Sequence, residues 1–492
     1  MTTEQFLHRS ADPRSPNRIC SLSREALVRS AYWQTHSNIS RLDAKIDKLL
    51  LRRRDLRIHR HLLSTLLSPV RFLPPELLGE IFRYCLPQDY DELGAHKAVM
   101  LPSHVCKRWR DVALSTPALW TNIVLRVTDK TLESQTALVT DWVSRSGNLP
   151  LSFTLEGREN VLPILAVLYH HCARWQYINL SVPLETLQCL EAANGRLQRL
   201  ETLEINRYGD SPPWVEQILE SAPKLRKVSV SRKFLWNGLN GSWGQLVELD
   251  ASCASYSVGD CLALLQAVGS LQTLKVSVNS EVAEGHPRFV FSHPLISLDV
   301  CGTGARWMLF DYITLPNIRD LSVGEIKCQS PVSQLISFLQ RSSSFLKCFS
   351  LRVPSAVYGE WVNMIIQILG YTPSLHTLCL AYGSSYARWD ESSIFEKLEF
   401  RAGLIPMLST ISISIANQSV TPEYQALREL ILSRRSMDET NDDLFSSLDG
   451  VEPIQKLTVE CSYCWDDTTW YEKVSQILAP IQIVDTLQIV VR

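Results

Sequence analysis

A short pattern of the form L-x-x-L-x-L, with Ile, Val, Phe and Trp replacing Leu, recurs along most of this chain. Clear copies begin at Leu200, Leu225, Leu271, Leu295, Ile318, Leu375, Leu408, Leu427 and Ile454. Weaker ones begin at Trp120, Pro150, Trp175, Leu246, Leu346 and Val484, and from Trp175 onward the starts lie 19 to 33 residues apart. Within a copy the last positions alternate, so Leu203 and Ile205 face one side and Glu204 the other, as in a half-buried strand. Between copies, residues 214–220, 258–268, 332–340, 361–369 and 471–478 show the three- and four-residue spacing of helices. Gly195, Pro223, Gly269 and Pro373 punctuate the chain just ahead of the next strand. One strand and one helix cannot bury an apolar face alone, whereas stacked units share a continuous core. The pattern therefore predicts an α/β layering of repeated units. The acidic run 437–452 interrupts it and reads as an inserted surface loop.

This series resembles the leucine-rich repeats, in an irregular version. The resemblance implies a solenoid with parallel strands on its concave face and helices outside. The Asn or Cys that in this family follows the strand and bonds the turn falls at Asn279 in one unit and is missing from the others. Turns elsewhere must be held by other means.

Two further patterns precede the repeats. From Ser37 to Leu67 apolar residues recur by threes and fours at Ile39, Leu42, Ile46, Leu49, Leu56, Leu63 and Leu67, a heptad rhythm into which Arg53 and Arg60 intrude. Nine Lys/Arg stand against three Asp between Ile39 and Arg71. The cluster Arg52, Arg53, Arg54, Arg57 and Arg60 suits either a nucleic-acid contact or a solvated helix face, and the second is the plainer reading. The apolar stripe is expected to lie against the following segment or to pair with a second copy. Ser68-Pro69 ends the helix.

Next comes Leu73 to Leu125, two short amphipathic helices with more apolar surface than so small a unit can hide. Pro74 and Pro75 suit a first helical turn, and Glu76 lies on the favourable side of the helix dipole. The combination Leu73-Pro74-x-Glu76, Ile81-Phe82, Val105-Cys106-x-x-Trp109-Arg110-x-Val112-Ala113 and Pro117-x-Leu119-Trp120 resembles the F-box, in the F-box-like form common in mushroom-type (basidiomycete) fungi. The resemblance implies docking on a Skp-type adaptor within a cullin-based ubiquitin ligase. Carried over residue by residue, the adaptor contacts would be Leu73, Pro74, Glu76, Leu77, Ile81, Phe82, Val105, Cys106, Trp109, Leu119 and Trp120. One departure is the insert 88–100, longer and more polar than the usual inter-helix loop. The chain then divides into a flexible lead-in (1–36), a basic amphipathic helix (37–68), the F-box-like segment (69–125) and the repeat region (126–492). The overall class is α/β, or α+β when the N-terminal helices are counted.

Composition narrows the function classes. With 45% hydrophobic and 20% charged residues the 492-residue chain reads as globular, and its net charge of −2 exerts no global pull on nucleic acid or anionic lipid. Neither a membrane-length apolar run nor a secretory leader is visible. Thirteen cysteines are scattered; Cys253, Cys261, Cys301, Cys348 and Cys379 occupy places where a small hydrophobe would serve, which predicts reduced thiols. Cys461-x-x-Cys464 lacks the second pair or neighbouring His that a metal site needs. P-loop, H-E-x-x-H, G-x-S-x-G and strand–GxGxxG–helix patterns are all missing, so no catalytic residue, metal, cofactor or small-molecule substrate is expected.

Large rings recur a few residues past the strands: Tyr208, Trp236, Tyr256, Trp307, Tyr382, Tyr386, Trp389, Tyr463 and Trp465. Two readings are open. They either gather along one rim as a target-binding surface or wedge between adjacent loops in place of the missing Asn ladder. Two functional expectations follow. One is a non-catalytic substrate receptor of a ubiquitin ligase, cytoplasmic or nuclear, holding a Skp-type adaptor and an unknown target protein. The other is a repeat scaffold that dimerises through 37–67 and recruits no ligase.

Overall fold

The computed structural model describes residues 22–86, 95–158, 161–183, 186, 193, 195–206, 222–231, 243–280, 290–326, 330–342, 345–353, 359–382, 394–400, 404–415, 424–439, 452–461 and 488–491. The chain forms two compact units, Met1–Ile81 and Phe82–Arg492.

The first unit is dominated by a 45-residue helix, Leu22–Leu66. It contains no Gly or Pro and is rich in Leu and Arg, which fix helical backbone at little entropic cost. It therefore starts at Leu22 rather than at Ser37, and residues 22–36 belong to it instead of to a flexible lead-in. Pro69 stops it, and a 3-10 turn, Pro69–Phe72, leads to the helix Pro75–Tyr84, with Pro75 at its first position.

In the second unit, helices Ala95–Val105 and Lys107–Ser115 and the 3-10 turn Pro117–Trp120 precede the sheet. Half of the 88–100 insert is thus helical, while 87–94 lie outside the described residues. Cys106, in extended conformation (φ −158°, ψ 168°), breaks what looked like one helix into two. Strands β1 (Asn122–Val127), β2 (Leu151–Gly157), β3 (Trp175–Ser181), β4 (Thr202–Ile205), β5 (Lys227–Val230), β6 (Glu248–Ser257) and β7 (Thr273–Ser280) follow. A short pair, β8 (Phe291–Ser292) and β10 (Ile313–Thr314), flanks β9 (Ser297–Gly302) in sequence. The series ends with β11 (Asp320–Val323), β12 (Cys348–Val353), β13 (Thr377–Tyr382), β14 (Thr410–Ile415), β15 (Lys456–Cys461) and β16 (Gln488–Val491). All but β8 and β10 join one 14-stranded sheet in sequence order, and every pairing is parallel. This is the α/β repeat architecture expected from the pattern.

Register gives the sheet its core. The middle Leu of each repeat forms an unbroken row across the ladder: Ile123, Phe153, Ile178, Leu203 and Val228 at one end, Leu378, Ile411 and Leu457 at the other. Each of these is at most 1% exposed. Leu125, Leu155, Leu180 and Ile205 start a second buried row two residues on. Helices Leu132–Arg145, Val258–Ala267 and Arg306–Tyr312 supply the layer beneath, burying Val139, Leu264 and Phe310. One repeat copy is corrected. Leu427–Leu432 belongs to a helix, Tyr424–Glu439, not a strand. The spacing of Leu427, Leu430, Ile431 and Arg434 fits one helical face, all four are buried, and the residues between are strong helix formers. Residues 437–439 continue that helix, and the rest of the acidic loop up to 451 lies outside the described residues.

Trp120 closes the first repeat. It is fully buried, its Nε1 donates to the Ala113 carbonyl at 2.9 Å, and it meets Trp142 edge to face at 5.4 Å. The Arg145 guanidinium lies over its ring at 4.8 Å. Trp120→Ala should cost about 3–5 kcal/mol in chemical denaturation, because a large cavity opens under the end of the sheet; a cost below about 1 kcal/mol would sink this assignment.

A second buried group sets a pH dependence. His293 is 1% exposed, and its Nε2 faces the Val268 carbonyl at 3.0 Å. A carbonyl only accepts, so Nε2 carries the proton and Nδ1, which has no partner, is bare. Burial lowers the His293 pKa below its ordinary 6.5. The unfolded chain therefore takes up this proton first, and stability is full above pH 6.5 and declines as pH falls below it. A His293→Leu variant should show a flatter stability profile than wild type over that acidic window, read from denaturation midpoints. Parallel profiles would refute the assignment.

Candidate functional site

The F-box-like residues separate into a buried set and an exposed set. On the helix Pro75–Tyr84, Leu77 and Ile81 are 54% and 44% exposed, whereas Leu78 and Phe82 are 1% and 2% exposed. Positions 77 and 81 are one turn apart and share a face; 78 and 82 share the adjoining one. Pro74 and Glu76 are exposed and Leu73 is half-buried. In the second unit Val105 is 61% exposed, and Leu101, one turn before it, is 65% exposed. Cys106 is also exposed. Trp109 is half-buried, its ring 4.9 Å from that of Phe82. Three candidates are therefore corrected: Phe82, Leu119 and Trp120 hold the core and present no docking surface. Leu101 was missed, although its spacing of four from Val105 placed both on one face.

The aromatic candidates resolve differently. Tyr256, Trp307 and Tyr382 are 1%, 4% and 5% exposed and so form no target-binding rim. They pack inside, Tyr256 and Tyr382 from strands β6 and β13 and Trp307 from the helix Arg306–Tyr312, not between loops. Tyr208, Trp236, Tyr386, Trp389, Tyr463 and Trp465 lie outside the described residues. The thiols also differ from expectation. Cys261 is buried, but Cys253 is exposed and Cys301, Cys348 and Cys379 are half-buried on the outward face of the strands. Cys348 and Cys379 sit on paired strands β12 and β13; a hydrogen bond between the two thiols, with burial, pushes Cys348 up.

Three side-chain devices link neighbouring repeats near the strand ends. Asn279 acts as the family pattern implies: its Oδ1 accepts the Thr303 N–H at 2.9 Å and its Nδ2 donates to Ser255 Oγ at 2.8 Å. Gly302, at φ +111°, is required beside it, since a Cβ there would collide with the Val278 carbonyl. A second asparagine pair, invisible in the motif because Asn206 sits two residues early and Asn179 four, links Asn206 Nδ2 to Asn179 Oδ1 at 3.1 Å. The third device is Arg306. Its Nη1 donates to the carbonyls of Gly302 and, at 3.0 Å, Thr303, and its Nη2 donates to the Glu325 carbonyl. It ties the turn after β9 to the segment after β11. Its guanidinium lies over Trp307 at 4.7 Å and is 7% exposed. Burial lowers its pKa while Glu325 opposes that shift. Arg306 also lines a cavity of about 580 Å³ with Gly324, Glu325 and Arg352. Its amino groups already serve backbone carbonyls, so its role in that cavity is structural.

Among the described residues no cluster of three or more His, Cys, Asp or Glu is arranged to hold a metal, and no helix is long and apolar enough to cross a membrane.

A family model described as F-box-like matches residues 70–126. The chain thus carries an F-box-like domain ahead of a parallel α/β sheet. No curated protein matches the sequence. Among solved structures, an internalin (InlF) of Listeria monocytogenes aligns over 68% of this chain and 92% of its own, at 12% identity and a TM-score of 0.32. A chain of the Rad7 and Elc1 complex of yeast aligns over 82% of this chain and 97% of its own, at 13% identity and a TM-score of 0.33. Overlaps this loose transfer neither partner nor activity.

Replacing Arg306 by Met keeps the apolar stem and removes the three carbonyl contacts. Thermal or denaturant unfolding should show a loss of about 2 kcal/mol. Unchanged stability would mean that the turns are held without it.

Proposed function

We propose that this chain is the substrate-recognition subunit of an SCF-type cullin–RING ubiquitin ligase. The observation that carries the reading is the F-box-like match over 70–126, together with the exposure of the apolar residues Leu77, Ile81 and Val105 inside it. Isolated exposed leucines are ordinary, but apolar side chains at motif positions of a docking module mark a partner surface. In this reading the Skp-type adaptor buries Leu77 and Ile81 and bonds the Pro74-Pro75-Glu76 turn; Val105, exposed at its own motif position, is a further contact residue. Phe82, Trp109 and Trp120 act indirectly, by fixing the helices that present those residues. The repeat region holds the target protein on the outward face of its sheet. Ubiquitin transfer is then promoted by proximity, the chain contributing no catalytic residue and no cofactor. Its free thiols suit a reducing compartment, the cytoplasm or nucleus.

The test is co-expression of the full chain with a Skp-type adaptor and affinity co-purification. Wild type should retain the adaptor. Leu77→Asp/Ile81→Asp should lose it by about 100-fold or more, since two carboxylates would be buried unpaired in the contact. Both sites are exposed in the free chain, so the variant should keep wild-type circular dichroism and melting temperature. Failure of wild type to bind, or equal binding by the variant, refutes the proposal.

A further inference from the structure

The long helix Leu22–Leu66 keeps an unused apolar seam. Ile39, Leu42, Ile46, Leu49, Leu56 and Leu63 are all between 46% and 65% exposed. They fall on the two inward positions of a heptad, with Leu at every second inward site (Leu42, Leu49, Leu56, Leu63) and Ile at the first two of the others (Ile39, Ile46). That combination is the one that favours two-stranded pairing. A helix with this seam is stable in isolation only by its propensity, and pairing is the ordinary way to bury such a stripe.

What pairs with it is decided by charge. The next two inward sites are Arg53 and Arg60, and Arg52 and Arg57 flank them at the positions that meet a partner's edge. These four arginines and the leucines Leu49 and Leu56 line one groove. Among the described residues none of the four has an ion-pair partner. In a parallel pair of identical helices Arg53 would meet Arg53 and Arg60 would meet Arg60 inside the seam, with Arg52 opposite Arg57. An antiparallel pair fares little better, because Leu22–Leu66 holds ten Arg/Lys against four Asp/Glu and offers no acidic half. Like charges desolvated at a seam oppose association. A nucleic acid would satisfy the arginines but leave the interleaved leucines in water.

We infer that Leu22–Leu66 is the docking strand of a heterotypic coiled coil whose partner is an acidic amphipathic helix, with Leu or Ile along its seam and Glu or Asp facing Arg53, Arg57 and Arg60. The surface selects against self-pairing by the same arginines that select the acidic partner. This goes beyond the receptor reading, since it adds a second protein contact independent of the F-box-like domain.

The test uses the full-length chain and a fluorescent synthetic helix of about four heptads, with Ile and Leu at the seam and Glu facing the arginines. Anisotropy titration should show binding by the Glu peptide at least about tenfold tighter than by a scrambled peptide of the same composition or by a Lys-for-Glu peptide. Arg53→Glu/Arg60→Glu, which preserves helix propensity, should reverse the order of the Glu and Lys peptides. Sedimentation of the wild-type chain should give a monomer at micromolar concentration. Equal binding of the scrambled peptide, no reversal in the variant, a dimer that Arg53→Glu/Arg60→Glu leaves intact, or tighter salt-sensitive binding of duplex DNA than of the Glu peptide would each overturn the inference. Adaptor co-purification should be unchanged by Arg53→Glu/Arg60→Glu, so failure of this contact and failure of the receptor reading are separately visible.

Discussion

The shared register of the middle apolar residue of each strand, kept even where the β2–β3 and β6–β7 pairings shift elsewhere along their length, is the constraint on which the second unit depends. Each repeat contributes a strand of four to ten residues, and no such strand has a core of its own. Its middle Leu is dry only because the strands on either side place theirs in the same row. A slip of one residue anywhere would turn that Leu to water and bring a polar neighbour, such as Glu204 or Asp250, inside. Sequence order and spatial order coincide along the whole sheet. Stability is therefore passed from neighbour to neighbour, and the ends need special treatment. At the N-terminal end that treatment is Trp120. It belongs to the F-box-like segment by sequence and to the sheet by packing, so the helix Lys107–Ser115 and the first repeat share one core.

The irregular repeats follow from how the turns are satisfied. A regular asparagine ladder fixes one turn geometry and one repeat length. Here Asn279 and Arg306 answer that backbone demand with side chains of different reach, while Asn206 bonds the side chain of Asn179 instead. A buried arginine can do this because its fork reaches two turns at once, and its charge is offset by carbonyl dipoles instead of a carboxylate.

Much of the fold was legible because alternation and burial coincide: Leu203, Leu274, Leu298 and Leu378 were placed correctly from spacing alone. Leu427–Leu432 was misread because L-x-x-L-x-L also fits a helix when its residues are helix formers; six positions cannot separate the two periods. Spacing alone starts the helix Leu22–Leu66 too late because polar Glu25 and Thr35 interrupt the heptad rhythm in its first turns, where propensity, not amphipathicity, sets the backbone. The candidate site was legible only as a motif. Leu77 and Phe82 belong to the same motif, yet one faces water and the other the core, and no pattern in the motif separates contact residues from scaffold. The rings at Tyr256, Trp307 and Tyr382 failed for the same reason: a large aromatic is as useful for filling a gap between repeats as for binding.

Charge divides the labour between the surfaces that remain. On the sheet, charged residues pair across neighbouring strands: Arg126 with Glu156 at 2.9 Å, Lys275 with Asp250 at 3.3 Å and Lys227 with Glu248 at 3.9 Å. Asp250, which burial alone would push up, is held low by Ser252 and Lys275. Such half-exposed pairs contribute at most about 1 kcal/mol each, but they leave that face with little net field. Selection there must come from shape and hydrogen bonding. Along Leu22–Leu66 the reverse holds: among the described residues Arg52, Arg53, Arg57 and Arg60 have no ion-pair partner, the apolar seam is uncovered, and the sign of the partner's charge is the first thing the surface can read.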